Sequence, residues 1–276
     1  MIYTKFIIQN LKEKIMNKSI HKFLIINSLL LFLLASCSKN TDVTPPVCYL
    51  SSIADEKGKI IETLTYDANN RLVNDVVGAS DIIYAFTYNA QSKVDKITIT
   101  DKTDKKTITF IVTFTYDANN QATKAVTSYN GNTYQTNTFS YTNNQLTQIT
   151  TDDQTYILKT RLEYSGENVS KVYQKFDTEK EYLYYEVTKF DGKQNAYPEA
   201  YKVIAIGLTG LIDGFAYLSK NNVVSEKNYG DDGVAYYTAD NTYEYNPTNQ
   251  PTKVTAAIND DGDKSTSISA YQYNCK

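Results

Sequence analysis

The chain has 276 residues, with 28 Lys and Arg against 31 Asp and Glu, a formal charge of −3, 41% hydrophobic residues, 25 Tyr and no Trp. This near-neutral, slightly acidic balance excludes a basic surface for nucleic acid or for anionic lipid. There is one His in the whole chain, His21.

Lys18 and Lys22 precede an apolar run from 23 to 34, broken only by Asn27 and Ser28. A basic start and a short hydrophobic stretch read as a secretory signal, too short for a comfortable membrane span. Leu34-Ala35-Ser36-Cys37 follows and resembles a bacterial lipobox, which implies cleavage before Cys37 and a diacylglycerol on its sulfur. The competing reading is a buried helix that ends in an ordinary cysteine. Met16 opens a signal of normal build by itself, so residues 1–15 are a candidate over-extended start.

Removing residues 1–36 takes away five Lys and one Glu, so the remaining 240 residues carry a formal charge of −7. It also removes His21 and both methionines. The mature chain then excludes a histidine general base, a Ser-His-Asp triad, a Cys-His dyad and a histidine metal ligand. Cys48 and Cys275 remain beside Cys37. An oxidising compartment makes them a candidate disulfide, with two free thiols as the alternative.

Residues 37–46, polar and ending in Pro45-Pro46, form a tether between lipid and domain. Residues 47–276 read as one β-rich domain organised around a repeat. Leu64-Thr65-Tyr66-Asp67-Ala68-Asn69-Asn70 returns as Phe114-Thr115-Tyr116-Asp117-Ala118-Asn119-Asn120, with looser copies anchored at Tyr88, Tyr141, Tyr164 and Tyr245. Thr, Tyr and Phe suit a pleated half-buried surface, and Asp and Asn make the turn, so each copy is strand, turn, strand. From Tyr66 to Tyr164 the anchors recur at steps of 22, 28, 25 and 23 residues, the length of one hairpin. Between 107 and 116, Ile108, Phe110, Val112, Phe114 and Tyr116 alternate with threonines, and only Ile111 breaks the rule. That is a half-buried antiparallel strand.

The pattern fails between Tyr197 and Tyr217. Pro198 and Glu199 are helix-start signals, and Tyr201, Ile204, Ala205, Leu208, Leu211 and Ile212 follow at helical spacing, weakened by Gly207 and Gly210. The whole predicts a mainly β fold: a curved, mostly antiparallel meander of about 13–15 strands, with one short helix or cap near 198–213 lying over the sheet.

These hairpins behind a lipobox, together with the closing stretch Leu218-Ser219-Lys220-Asn221-Asn222-Val223-Val224, Tyr243-Glu244-Tyr245-Asn246 and Gln250-Pro251-Thr252-Lys253-Val254-Thr255, resemble a family of uncharacterised Bacteroidetes cell-envelope lipoproteins. The Tyr-Asp turns also look like YD repeats, though Asn69-Asn70-Arg71-Leu72 matches only in part. The resemblance implies an outer-membrane lipid anchor and brings no catalytic residues. In the lipoproteins the chain resembles, an acidic run just after the lipidated Cys is associated with display outside the cell; Asp42 is the sole acid among residues 38–42, so the resemblance favours the periplasmic side over the cell surface.

Candidate chemistry is sparse. Tyr173, Phe176, Tyr182, Tyr184, Tyr185 and Tyr201 form the candidate ligand face, against the plainer reading of core packing. Asp231-Asp232-Gly233 and Asp260-Asp261-Gly262-Asp263 lack calcium-loop spacing and read as solvated turns. Glu163, Glu181, Glu186 and Glu244 are candidate paired acids for glycoside cleavage, against ordinary cross-strand charge pairs. No cofactor, metal or nucleic acid is implied. The sequence thus reads as a lipid-anchored, non-enzymatic module that binds a glycan, peptide or envelope protein. The alternatives are an assembly protein acting through its sheet edges and a histidine-free carbohydrate-active enzyme.

Overall fold

The computed structural model describes residues 47–78, 81–102 and 107–276. The signal, Cys37 and the tether lie outside them. Residues 49–274 form one compact unit. In the terminal unit, Cys48 and Cys275 are joined in a disulfide, and Val47 and Lys276 exchange backbone hydrogen bonds of 3.1 and 3.0 Å.

Sixteen strands form among the described residues. The first eight are β1 (Cys48–Ala54), β2 (Ile60–Tyr66), β3 (Leu72–Val77), β4 (Ile82–Tyr88), β5 (Val94–Asp101), β6 (Ile108–Tyr116), β7 (Ala122–Tyr129) and β8 (Asn132–Thr142). The second eight are β9 (Gln145–Asp152), β10 (Ile157–Ser165), β11 (Asn168–Phe176), β12 (Tyr182–Gln194), β13 (Asn221–Tyr229), β14 (Ala235–Tyr245), β15 (Pro251–Asp260) and β16 (Asp263–Cys275). One helix, α1 (Ala200–Gly207), and a 3-10 turn at Phe215–Leu218 lie between β12 and β13.

Each strand pairs with the next in sequence, and β1 pairs back with β16, so the meander is a closed antiparallel barrel. The expected meander is there, with more strands than the reading of about 13–15. Connections of two residues, such as Asn143-Asn144 between β8 and β9, hide strand ends in the sequence. Closure itself corrects one expectation. A closed barrel has no free edges, so the assembly reading that works through sheet edges has no edge to use among the described strands.

The repeat explains the hairpins atom by atom. Asp67 Oδ1 accepts the backbone N–H groups of Asn69 and Arg71, both at 2.9 Å, and Asn70 turns left-handed at φ 61°. Asp117 does the same for Asn119 and Gln121, with Asn120 at φ 60°. Short side chains that cap the backbone and tolerate positive φ are what this turn needs. At each of these turns the register shifts by one residue, at Thr65/Tyr66 and at Thr115/Tyr116. The tyrosine there donates to a carbonyl near the start of the preceding strand: Tyr66 to Leu50 O, Tyr88 to Leu72 O, Tyr116 to Val94 O and Tyr164 to Leu146 O, at 2.6–2.9 Å.

Alternation sorts the side chains. On β6, Val112 and Phe114 are buried, while Ile111, Thr113 and Thr115 are exposed. On β10, Leu158, Thr160 and Leu162 are buried, while Lys159 is exposed and Arg161 pairs with Glu163 at 2.6 Å on the other face. On β8, Gln135, Asn137 and Phe139 face in, and Thr138 and Ser140 face out. The barrel therefore turns most of its large apolar side chains inward and a wall rich in Thr, Ser, Lys and Glu outward, with Ile60, Val76, Ile111, Tyr134 and Ile157 left exposed.

Candidate functional site

Barrels of sixteen strands are wide enough to leave an aqueous channel. Here residues 195–219 fill it. Their path is traced by what they touch. The Tyr197 ring meets Tyr271 of β16 at 6.3 Å. The Tyr201 hydroxyl contacts Glu62 of β2, and lies 2.8 Å from Asp75 Oδ2 of β3. A Cβ on Gly207 would fall 2.5 Å from Phe114 Cζ of β6. Asn137 of β8 donates to Ile206 O at 2.9 Å, and Gln135 donates to Thr209 O at 2.9 Å. Gly210 borders Thr151 of β9 and Leu158 of β10. Tyr184 of β12 reaches Asp213 at 2.5 Å, and Ser219 accepts the Val169 N–H of β11 at 3.1 Å. A segment that touches strands on every side of a closed barrel lies inside it.

The helix is built for that place. Ala200, Tyr201, Ile204, Ala205, Ile206 and Gly207 are all buried, so most of the helix surface is apolar and packed, and Lys202 reaches out to pair with Glu199 at 3.0 Å. The sequence expectation of a helix near 198–213 is met. Its position over the sheet becomes a position inside the lumen, because the sheet it covers closes around it.

Two acid–tyrosine clusters line the plugged lumen. In the first, Tyr201 stands between Glu62 and Asp75, and Asp75 is 2% exposed. Burial pushes the Asp75 carboxyl up to about 7, helped by the charge of Glu62. Burial also raises Glu62, against the lowering hydrogen bond from Tyr201. Asp75 Oδ1 is buried without a hydrogen-bond partner. In the second cluster, Tyr184 bonds Asp213, and Tyr185 bonds Glu226 at 2.6 Å. Burial raises both carboxyls. The Phe215 ring packs 6.2 Å from Tyr184 and 6.0 Å from Tyr185.

The candidate ligand face divides. Tyr182, Tyr184 and Tyr185 come together through ring contacts and Phe215. Tyr201 lies in the other cluster. Tyr173 is on the outer wall under Arg161, whose guanidinium sits 4.0 Å from its ring, and Phe176 packs on Tyr156 at 5.4 Å. Of the four candidate acids, only Glu163 and Glu181 come together, and they do so on one arginine. Glu163 and Glu181 both pair with Arg161, Glu186 with Lys171 and Glu244 with Lys253. Among the described residues no group of three or more His, Cys, Asp or Glu converges as a metal would require.

Sequence reading missed Glu62, Asp75, Asp213 and Glu226. Glu62 carried a signal: alternation puts it on the same inward face as Leu64 and Tyr66. Asp75 carried less, because the register shift after Tyr66 changes which residues of β3 face in.

The barrel has solved counterparts. It is similar to a porin-like protein from Bacteroides uniformis ATCC 8492, with TM-score 0.50, 19% identity and coverage of 82% of this chain and 95% of that one. It is also similar to a porin-like protein from Bacteroides vulgatus ATCC 8482, with TM-score 0.52, 12% identity and coverage of 82% and 99%. At these identities the likeness is one of fold. No family model matches the chain, and no curated protein matches it.

Proposed function

We propose that the protein is a non-enzymatic β-barrel module of the cell envelope, tethered by a lipid on Cys37, with its barrel in water beside the bilayer. The observation that carries this reading is the distribution of side chains. A barrel that spans a bilayer turns an apolar band toward lipid. This one encloses Phe114, Phe139, Leu158 and Leu162, and turns Thr113, Thr115, Lys159 and Arg161 outward. One Lys or Arg at the lipid midplane costs about 2–4 kcal/mol, so Lys159 and Arg161 on the outer face of β10 oppose insertion. The filled lumen argues in addition against conduction.

The fold likeness to porin-like proteins of Bacteroides and the lipobox both support an envelope location, on the periplasmic side by the composition of residues 38–42. With the lumen occupied, a glycan, peptide or envelope protein would be bound from the outer wall and rim loops.

A Cys37→Ala variant of the full chain tests the reading. The variant is expected in the soluble fraction, with no conductance when added to a planar bilayer. A variant that stays in the membrane fraction and needs detergent would mean that the barrel itself spans. Protease treatment of intact cells reads the side: survival of the wild-type protein supports the periplasmic face.

A further inference from the structure

The segment that fills the lumen is held to β2 and β3 by a single hydroxyl. Tyr201, itself 4% exposed, contacts Glu62 and lies 2.8 Å from Asp75 Oδ2. A phenol has one hydrogen to donate. It can satisfy one of the two carboxyl groups. The second contact needs a second hydrogen, and the only group in the triad able to supply it is a carboxyl that carries its own proton.

We propose that Glu62, Tyr201 and Asp75 form a proton-held latch that keeps residues 195–219 in the lumen, and that loss of the carboxyl proton to solvent loosens the start of α1.

The surroundings make the proton necessary. The groups facing the triad are Tyr66 of β2, Tyr84 of β4, Tyr271 of β16, and Tyr197 and Tyr217 of the plug itself. The charges that act on the two carboxyls and on Tyr201 are acids and phenols, with no Lys or Arg among them. Two ionised carboxylates on one hydroxyl, without a cation, repel at close range in a low-dielectric interior. Burial raises Asp75 to about 7, which puts the event near neutral pH. Around the latch, Tyr201 packs at 4.8 Å against Tyr197 and edge-on at 5.0 Å against Tyr217, both of which belong to the plug, and Tyr197 in turn bonds Tyr271 of β16. At the other end of the helix, the amides of Gln135 and Asn137 hold carbonyls and do not titrate. The latch therefore releases one end and leaves the other in place.

Hydrogen exchange of the full chain, read by mass spectrometry on peptides covering 195–219 at about pH 6 and about pH 9, tests this. After correction for the intrinsic pH dependence of exchange, wild-type peptides covering 197–204 are expected to lose about tenfold in protection at the higher pH, while those covering β9 and β10 do not. Asp75→Asn is expected to abolish the response, because its amide supplies at every pH the hydrogen that the carboxyl supplies only when protonated. Tyr201→Phe is expected to exchange rapidly at both values. Equal wild-type protection at the two pH values would overturn the latch, as would a response that persists in Asp75→Asn. Should Asp75→Asn not fold, Glu62→Gln removes the same repulsion and is held to the same expectation.

Discussion

The Tyr116 hydroxyl donates to the Val94 carbonyl at 2.6 Å, which ties the end of β6 to the start of β5. Val94 follows one repeat turn directly and Tyr116 precedes the next, so the bond links consecutive turns around the rim. Tyr66, Tyr88, Tyr164 and Tyr273 make the equivalent bond. Tyr116→Phe keeps the ring and leaves a half-buried carbonyl short of a donor. It should cost about 1 kcal/mol in urea unfolding, with an unchanged slope. Tyr49, whose ring packs 5.4 Å from that of Tyr66, provides the contrast: Tyr49→Phe keeps that packing and should change stability by less than about 0.5 kcal/mol.

Much of this architecture was legible because the signals are local. Asp67 and Asn70 announce their turn, and the threonines opposite Phe110, Val112 and Phe114 announce a one-sided strand. Closure was not legible, because nothing in β1 or β16 alone says that Ser52 will reach Gln272, at 2.9 Å, over 220 residues of chain. The helix could be read from Tyr201, Ile204 and Leu208, but its place inside the lumen follows from closure and was hidden with it. The lumen acids were hidden for a different reason. Glu62 and Asp75 sit in strands where a single acid reads as a surface charge; alternation with Leu64 and Tyr66 points Glu62 inward, but only the three-dimensional meeting with Tyr201 shows that Asp75 joins it there.

The disulfide between Cys48 and Cys275 spans 227 residues and joins the first strand to the last. Cross-links over long loops restrict the unfolded chain most, with a ceiling near about 5 kcal/mol in the chain-entropy model. Besides its place beside β16, β1 is matched to β2 over three residue pairs, Ser52–Thr63, Ile53–Glu62 and Ala54–Ile60. The double variant Cys48→Ser/Cys275→Ser should therefore lose about 2–5 kcal/mol, and wild type under reductant should fall to the same value. Equal stability of oxidised and reduced wild type would show that the bridge contributes nothing.

Gly207 ends α1 with its Cα facing Phe114. In an exposed helix, Gly→Ala usually gains about 0.5–1 kcal/mol. Here the added methyl would stand 2.5 Å from Phe114 Cζ and 3.4 Å from Val112 Cγ1, inside a packed lumen. The sign should reverse, with Gly207→Ala destabilising by about 1–3 kcal/mol. Phe114→Leu in the same chain should recover part of that loss, since it withdraws the ring atom that clashes. Thermal melts of the two single variants and the double variant measure the coupling, and simple additivity would mean that the methyl and the ring do not meet.

Glu226 gives the lumen a pH dependence separate from the latch. Its carboxyl accepts the Tyr185 hydroxyl at 2.6 Å, and burial raises it above its ordinary 4.5, with the charge of Asp213 adding to the rise. The folded protein thus holds this proton more tightly than the unfolded chain does. The resulting stabilisation is complete below 4.5 and is lost as pH rises through the folded value. Glu226→Gln keeps an oxygen to accept from Tyr185 and has no proton to lose. Between about pH 5 and about pH 8 its unfolding free energy should fall about 1 kcal/mol less than that of wild type. At acid pH the two proteins should agree closely, because both then carry a neutral group beside Tyr185. Parallel curves across the whole range would show that Glu226 is ionised throughout, and that the lumen at β13 is wetter than its packing implies.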